Sequence, residues 1–305
     1  MKLNALAKVR GIAGLNNKED QLRVNTGRSI IYALEAKNLD ITDDHQAKTR
    51  PGSSLLAAGT IMHSAWTNGN IALVMENGNL CELNLDLTRT VLMAGFPLRA
   101  RMTFCPVPPS DIYFSDGMVI GYIRDRVATL VSQAADPRPF RGPTPAGQFL
   151  GFYNARLWVA VGKNLYFTDV SAHTSVDLRK GFFQFDGPIT MVRAVDDGIY
   201  VSDGQVWFLS GKDPLKDFER KLCCEYPAIP FTDVNVDTKY IKGGEQYQGT
   251  CAIWASQKGV CYGFNEGKFI NPTIDNYELT DTYHQGTGAF MIDNNAHKYV
   301  AILTT

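Results

Sequence analysis

Apolar and polar positions alternate in short runs along most of this chain, and Asn, Asp and Gly punctuate the runs. Phe149–Tyr153 meets a turn at Asn154-Ala155, Leu157–Val161 meets Gly162-Lys163-Asn164, and Leu165–Phe167 follows. Directly afterwards Ile189–Val195 meets Asp197-Gly198, Ile199–Val201 meets Asp203-Gly204, and Gln205–Leu209 closes the pattern. β-branched and aromatic runs broken by such pairs predict tight hairpins, because these turn residues tolerate the positive φ that matches strand twist. Two hairpins in succession make a meander.

The meander recurs on both sides. Ile61–Trp66 meets Asn68-Gly69, Ile71–Met75 meets Asn77-Gly78, Leu80–Leu83 follows, and Thr90–Leu92 adds a fourth strand. A looser copy runs through Met102–Cys105, Ile112–Phe114, Val119–Ile123 and Val127–Val131, with turns at Pro108-Pro109-Ser110 and Ser115-Asp116-Gly117. Pro137 to Pro145 connects it to the next unit. Phe218–Leu222 reads as an outer strand after Leu209. The next copy, Thr250–Ala255, Val260–Phe264 and Lys268–Ile270, comes late, which predicts an insertion around 231–248. Ala289–Ile292 and Lys298–Leu303 form a last hairpin. Near the start, Ile30–Lys37 reads as a short helix and Asn38–Thr42 as a strand, with its return at Ala47–Arg50 ending at Pro51-Gly52.

A meander repeating roughly every 40 to 45 residues is the signature of β-propeller blades. The fold expected is all-β, a propeller of about six four-stranded blades in which strands from the N- and C-terminal ends complete a shared blade and so hide exposed edges. Residues 1–28 read as an N-terminal arm and residues 29–305 as a single propeller domain. A two-sheet sandwich also places short strands at regular spacing, but its crossovers do not call for identical successive meanders. The propeller should bury Trp66, Trp158, Trp207 and Trp254 between neighbouring sheets.

Composition narrows the function. The 305 residues carry 30 Lys+Arg against 31 Asp+Glu, a formal charge of −1, which gives no footprint for sequence-independent nucleic-acid binding. The opening Met1–Lys8 is too interrupted for a secretory leader and no run reaches membrane-spanning length, so the expectation is a soluble chain with no membrane insertion. Six cysteines (Cys81, Cys105, Cys223, Cys224, Cys251, Cys261) contain no C-x-x-C pair, and Cys81, Cys251 and Cys261 sit in strand patterns as small core residues.

No motif points to catalysis, a cofactor or a metal. Ser115-Asp116-Gly117 and Ser202-Asp203-Gly204 invite comparison with the sialidase Asp-box, but the aromatic spacing fails and hairpin turns explain both. Asp196-Asp197 precedes a turn glycine and reads as part of that turn. Asp40, Asp43 and Asp44 lack the glycine and distal acid of a calcium loop. The histidines (His45, His63, His173, His284, His297) show no ligand spacing, and there is no nucleophile elbow, phosphate loop or dinucleotide fingerprint. Arg99/Arg101 and Arg124/Arg126 have strand-alternate spacing, which puts each pair on one face. With Arg138/Arg141 they make a basic-leaning middle: a solvated face, a subunit contact or a lining for a polyanion.

Several segments resemble one family. Gly14-Leu15-Asn16-Asn17, Ala36–Ile41 with its Arg50-Pro51-Gly52 exit, Asn154-Ala155-Arg156-Leu157-Trp158-Val159-Ala160, Gly187-Pro188-Ile189-Thr190 and Asp196–Val201 are similar to propeller-type tail proteins of short-tailed bacteriophages, the packaged-DNA stabilisation or nozzle group. The resemblance implies a structural virion protein without enzymatic activity. It would be made in the host cytoplasm and placed in the tail below the portal, as part of a nozzle, hub or head-to-tail connector that retains packaged DNA until ejection. Implied partners are copies of itself in a homo-oligomeric ring, a hexamer being one form, then portal, adaptor and other tail proteins, with passing contact to DNA. Residues 1–28, 136–147 and 212–248 depart from the blade pattern and are the expected subunit contacts. The competing classes are a carbohydrate-binding or glycan-degrading propeller, which needs acids or aromatics converging in one pocket, and a scaffold propeller outside phages.

Overall fold

In a computed structural model of the chain, the residues described are 11–19, 30–34, 39–41, 46–49, 62–68, 71–131, 138–241, 244, 246–293 and 296–305. Five four-stranded antiparallel meanders follow one another as the blades of a β-propeller. Blade I comprises Met62–Asn68, Ile71–Glu76, Asn79–Leu83 and Arg89–Met93. Blade II comprises Thr103–Val107, Asp111–Ser115, Ile120–Arg124 and Val127–Leu130. Blade III comprises Phe149–Tyr153, Arg156–Val161, Asn164–Phe167 and Phe182–Gln184. Blade IV comprises Met191–Ala194, Ile199–Ser202, Val206–Ser210 and Glu219–Cys224. Blade V comprises Val234–Asp237, Thr250–Ser256, Gly259–Gly263 and Phe269–Ile270.

The core is divided among the blade interfaces, and period-2 alternation explains how. In the second strand of blade III, Leu157 and Val159 pack with Cys105, Val107 and Tyr113 of blade II, whereas Trp158 and Ala160 pack with Val192, Ile199 and Val201 of blade IV. Tyr200, between Ile199 and Val201, turns the other way and meets Trp254 of blade V at 5.6 Å between ring centroids. A strand covered on both faces reads as an unbroken apolar run rather than an alternating one. Hence Leu157–Val161 and Ile199–Val201 carry the strongest signal in the sequence. Trp158 and Trp254 are fully buried, as expected; Trp66 and Trp207 are only half-buried. Cys81, Cys251 and Cys261 are buried free thiols.

Three expectations are corrected. The blade count is five, not about six. The last hairpin, Gln285–Asp293 with Ala296–Thr304, pairs with itself, as do Leu39–Ile41 and Ala47–Thr49. Among the described residues no four-stranded sheet joins the two, so the shared closing blade is not formed there. Instead the C-terminal hairpin packs Phe290 and Tyr299 on the Val236, Ile241 and Ile253 cluster of blade V. Second, Val234–Asp237, inside the expected insertion, is the inner strand of blade V and pairs with Thr250–Ile253. Its short Val-Asn-Val-Asp run is weak by itself, and the extra length lies in the connection after it, which includes a 3-10 turn at Thr238–Tyr240. Third, Ile30–Ala33 is a strand parallel to Gly11–Leu15 rather than the start of a helix, in keeping with its β-branched pair Ile30-Ile31.

The outer strand of blade III, Phe182–Gln184, follows an excursion in which Ser175–Asp177 pairs with Arg141–Pro143. The stretch Asn16–Lys18 docks on the far side of blade V. There the Asn17 side chain donates to the Glu278 carbonyl at 2.8 Å and accepts from its amide at 3.1 Å, and the Asn17 amide donates to the Asn276 carbonyl. Asp43, Asp44, the expected strand end at Pro51-Gly52 and the remainder of the 1–28 arm lie outside the described residues.

Candidate functional site at the mouth of the propeller

The inner strands of the blades face a central opening with two cavities. At their leading ends is a cavity of about 390 Å³, here the mouth, lined by residues that include His63, Trp66, Arg101, Phe149, Arg193, Phe231, Asp233 and Thr287. At their trailing ends is one of about 470 Å³, whose walls include Pro106–Asp111, Phe152, Ala194 and Asn235. Phe104, Leu150, Val192 and Arg193 line both. These residues are the waist between the two.

Charge at the mouth is arranged around one carboxylate and two guanidinium groups. Asp233 is 8% exposed and precedes the inner strand of blade V. Its Oδ2 accepts from Arg193 Nε at 2.6 Å, and its backbone carbonyl accepts from Arg193 Nη2 at 2.9 Å. Arg193 lies on the inner strand of blade IV, so the pair ties two blades together. Arg101 enters from the connection into blade II and donates to the Gly286 carbonyl, to Thr287 Oγ1 at 2.8 Å and to Gln285 Oε1 at 3.5 Å. Its guanidinium carbon stands 3.8 Å from the centre of the Phe231 ring, a cation–π contact. Burial lowers the Arg101 pKa from its ordinary value, and the neighbouring Asp233 charge opposes that shift.

Phe231 holds φ at +65° and packs on Phe149 with ring centroids 4.8 Å apart. A left-handed conformation in a residue with a bulky side chain is held by its surroundings. Here two neighbours hold it: the Gly288 amide donates to the Phe231 carbonyl, and the Gly286 amide donates to that of Pro230. His63, on the inner strand of blade I, is half-buried and neither ring nitrogen has a hydrogen-bond partner. Arg193, Phe231, Asp233 and His63 were not singled out by motif. Reading Val234–Asp237 as an inner strand would have placed Phe231 and Asp233 at a blade entrance, the same relative position as Arg101.

The residues singled out in sequence have structural tasks. Asp116 Oδ1 accepts from the amides of Met118 and Val119, each at 2.8 Å, so Ser115-Asp116-Gly117 is a hairpin turn. Asp203 Oδ1 accepts from the Trp207 indole at 2.9 Å, and the Arg220 guanidinium lies 3.7 Å above that indole. Asp196 and Asp197 do more than turn the chain. Asp196 accepts from the Thr250 amide and hydroxyl at 2.9 and 2.7 Å, and Asp197 from the Glu266 amide at 2.7 Å, so both clamp blade IV to blade V. Burial pushes the Asp196 carboxyl up, but the bonds from Thr250 and Asn265 outweigh it and its pKa is lowered.

Two of the three arginine pairs are matched to acids. Arg124 grips Asp111 with two hydrogen bonds, Arg126 crosses to Glu82 of blade I at 2.8 Å, and Arg138 and Arg141 share Asp169. His173 contacts Thr168 and the rings of Tyr113 and Phe152, and burial lowers its pKa. His284 and His297 are exposed elsewhere, and His45, Asp43 and Asp44 lie outside the described residues. Among the described residues no three His, Cys, Asp or Glu side chains gather as a metal-ligand group. Burial pushes the thiols of Cys105, Cys251 and Cys261 up to about 12, so they are not thiolate nucleophiles at neutral pH.

A second surface feature lies on the rims of blades I and II, an apolar groove of about 190 Å³ whose walls include Met93, Phe96, Pro97, Met118 and Leu130. Met118 is 78% exposed. Other exposed apolar side chains, Phe140, Leu178, Leu215 and Leu222, belong to blades III and IV and their connections. No helix among the described residues is long and apolar enough to cross a membrane.

No protein-family model and no curated protein matches the chain. Among solved structures it is similar to the extracellular domain of a hybrid two-component system protein of B. thetaiotaomicron, with 13% identity over 81% of this chain and 31% of the other, and a TM-score of 0.47. An auxiliary nutrient binding protein from Bacteroides thetaiotaomicron shares 8% identity over 70% of this chain and 56% of its own length, TM-score 0.45. Virginiamycin B lyase from Staphylococcus aureus shares 8% identity over 78% of this chain and 83% of its own, TM-score 0.47. The chain thus spans about a third of the first and just over half of the second. None of the three is a phage protein.

Proposed function

We propose that this chain is a structural component of a bacteriophage tail, a non-enzymatic propeller that assembles with copies of itself into a ring below the portal, around the DNA exit channel. The observation that carries the reading is the apolar groove on the rims of blades I and II, together with large exposed apolar side chains on blades III and IV and their connections. The groove beside Met118 and Leu130 belongs to blades I and II, whereas Phe140, Leu215 and Leu222 belong to the connections and outer strand of blades III and IV. A ring of identical subunits needs two different patches on each copy, one for each neighbour. Phe140 and Leu215 lie in connections within 136–147 and 212–248, two of the stretches expected as subunit contacts, whereas Leu222 lies on the outer strand of blade IV. A near-neutral charge suits a wall that DNA slides past without being gripped. Electron microscopy of the purified chain with and without portal rings tests the reading. Closed rings seated on portal are expected, and Met118→Glu should abolish them; a permanent monomer indifferent to portal would sink it.

One observation favours a second reading, recognition of a carbohydrate at the mouth. Trp66, Phe149 and Phe231 line the same cavity as Arg101, Arg193 and Asp233, which is the convergence of aromatics and charge that a sugar site needs. Glycan-array binding lost on Phe231→Ala would support it, and an array without signal would count against it.

A further inference from the structure

We propose that the mouth binds a small organic acid, its carboxylate held by Arg101 and its body lying among Phe149, Phe231 and Trp66. This inference is independent of ring assembly. It extends the carbohydrate reading by naming the charge of the ligand, and rests on that reading only in placing the ligand at the mouth.

The mouth holds two guanidinium groups and one described carboxylate within hydrogen-bonding reach of them. Asp233 is matched to Arg193 through both its side chain and its backbone carbonyl. Arg101 is left with neutral acceptors, the Gly286 carbonyl, Thr287 Oγ1 and Gln285 Oε1, and among the described residues it forms no ion pair. Those bonds occupy Nη2 and one Nη1 hydrogen and leave Nε and the second Nη1 hydrogen to donate to a carboxylate oxygen, and a bound anion offsets the desolvation cost of a half-buried cation whose neighbouring carboxylate is already matched to Arg193. A single negative charge balances the site; a phosphate dianion would leave it negative.

A second group on the wall has no partner. Both nitrogens of His63 are buried without a hydrogen bond, a standing cost that a turn of the ring toward a ligand oxygen in the same cavity removes. His63 comes from blade I, Arg101 from the entrance to blade II and Thr287 from the C-terminal hairpin, so a ligand touching all three bridges the seam where that hairpin meets the propeller. The cavity, about 390 Å³, is near the lower end of the range for small-molecule sites. Its aromatic walls favour a flat or ring-shaped body over a linear one.

Isothermal titration of the full chain tests the proposal with D-glucuronate, benzoate, D-glucose and sodium chloride as probes. The expected result is saturable binding of at least one of the two acids and none of chloride. Arg101→Met, which keeps the apolar stem, should weaken it at least about tenfold. Because that change also loosens the hairpin contact, His63→Phe provides a variant that leaves Arg101 in place, with an expected loss of about threefold. In NMR the His63 imidazole resonances should move with the same midpoint as the heat. No acid binding up to about 10 mM, or equal affinity in the Arg101→Met protein, overturns the proposal. Glucose bound as tightly as glucuronate overturns it too, while leaving the carbohydrate reading standing. Benzoate bound without either sugar supports it and counts against the carbohydrate reading.

Discussion

The hydroxyl of Tyr200 in blade IV reaches into blade V and donates to the carbonyl of Phe264 at 2.5 Å, with the Lys268 carbonyl 3.0 Å away. The ring is fully buried against Trp254 and Phe208. A side chain that packs as a hydrophobe and ends on the neighbour's backbone joins two blades more specifically than packing alone. Tyr200→Phe keeps the packing and removes the donor, which should cost about 1–2 kcal/mol. Urea denaturation measures it, and Tyr283→Phe, at a half-buried ring outside the blades, should stay within about 0.5 kcal/mol of the parent.

Gly288 makes the closest approach in the C-terminal hairpin. A Cβ there would lie 2.0 Å from the Thr232 carbonyl oxygen, a backbone atom that cannot rotate away. Gly288→Ala should destabilise the hairpin by about 1–3 kcal/mol. Hydrogen exchange should show it as faster exchange at residues 286 and 288, with the cores of blades II to IV unchanged. Parental protection at those amides would mean the hairpin is not held through Thr232.

For Arg193 and Asp233, removing one partner is worse than removing both. Arg193→Met leaves a carboxylate that is nearly buried without its counter-ion, a loss of about 3–5 kcal/mol. The Arg193→Met/Asp233→Leu double variant should recover much of that loss. A double variant as unstable as the sum of the singles would show that the pair fixes blade geometry in a way apolar packing cannot replace.

Acid sensitivity should trace partly to Asp111. The hydrogen bonds from Arg124 hold its carboxyl below the ordinary 3.8, against the opposing effect of burial. A folded-state pKa below the unfolded one stabilises fully above the unfolded value and is lost as pH falls through the folded one. Asp111→Asn should therefore be less stable than the parent at pH 7, and the gap should close as pH falls from about 5 to about 2. Denaturation midpoints across that range measure the gap; a constant gap would mean the carboxylate charge contributes nothing.

Blades I to IV were legible because their second strands are covered on both sides and flanked by turns. Leu157–Val161 has the same apolar character whichever neighbour it meets, and Asn154-Ala155 forms its turn with φ of +52° and +54°. Blade V was legible only from its second strand onward. Val234–Asp237 has one side toward the opening, carries polar Asn235 and Asp237, and draws its strand character from pairing with Thr250–Ile253. The outer strand of blade III was missed because the Arg141–Pro143 and Ser175–Asp177 pairing interrupts the meander. The mouth was hidden for a different reason. Its residues are separated by up to 226 positions, from Met62 to Gly288, and each looks ordinary where it stands.

The sequence by itself determined the class of fold, since turn chemistry and apolar runs are local properties that each hairpin expresses through its nearest neighbours. It also marked Ser115-Asp116-Gly117 as a hairpin corner, which the Asp116 bonds to the amides of Met118 and Val119 form. The tertiary structure decided the number of blades, because whether terminal hairpins join one sheet depends on long-range pairing that no local pattern encodes. It alone matched Arg193 to Asp233, left Arg101 with neutral partners and set His63 on the same wall. Which charges meet is a property of blade packing, and the inner strands that carry them are the ones whose sequence says least.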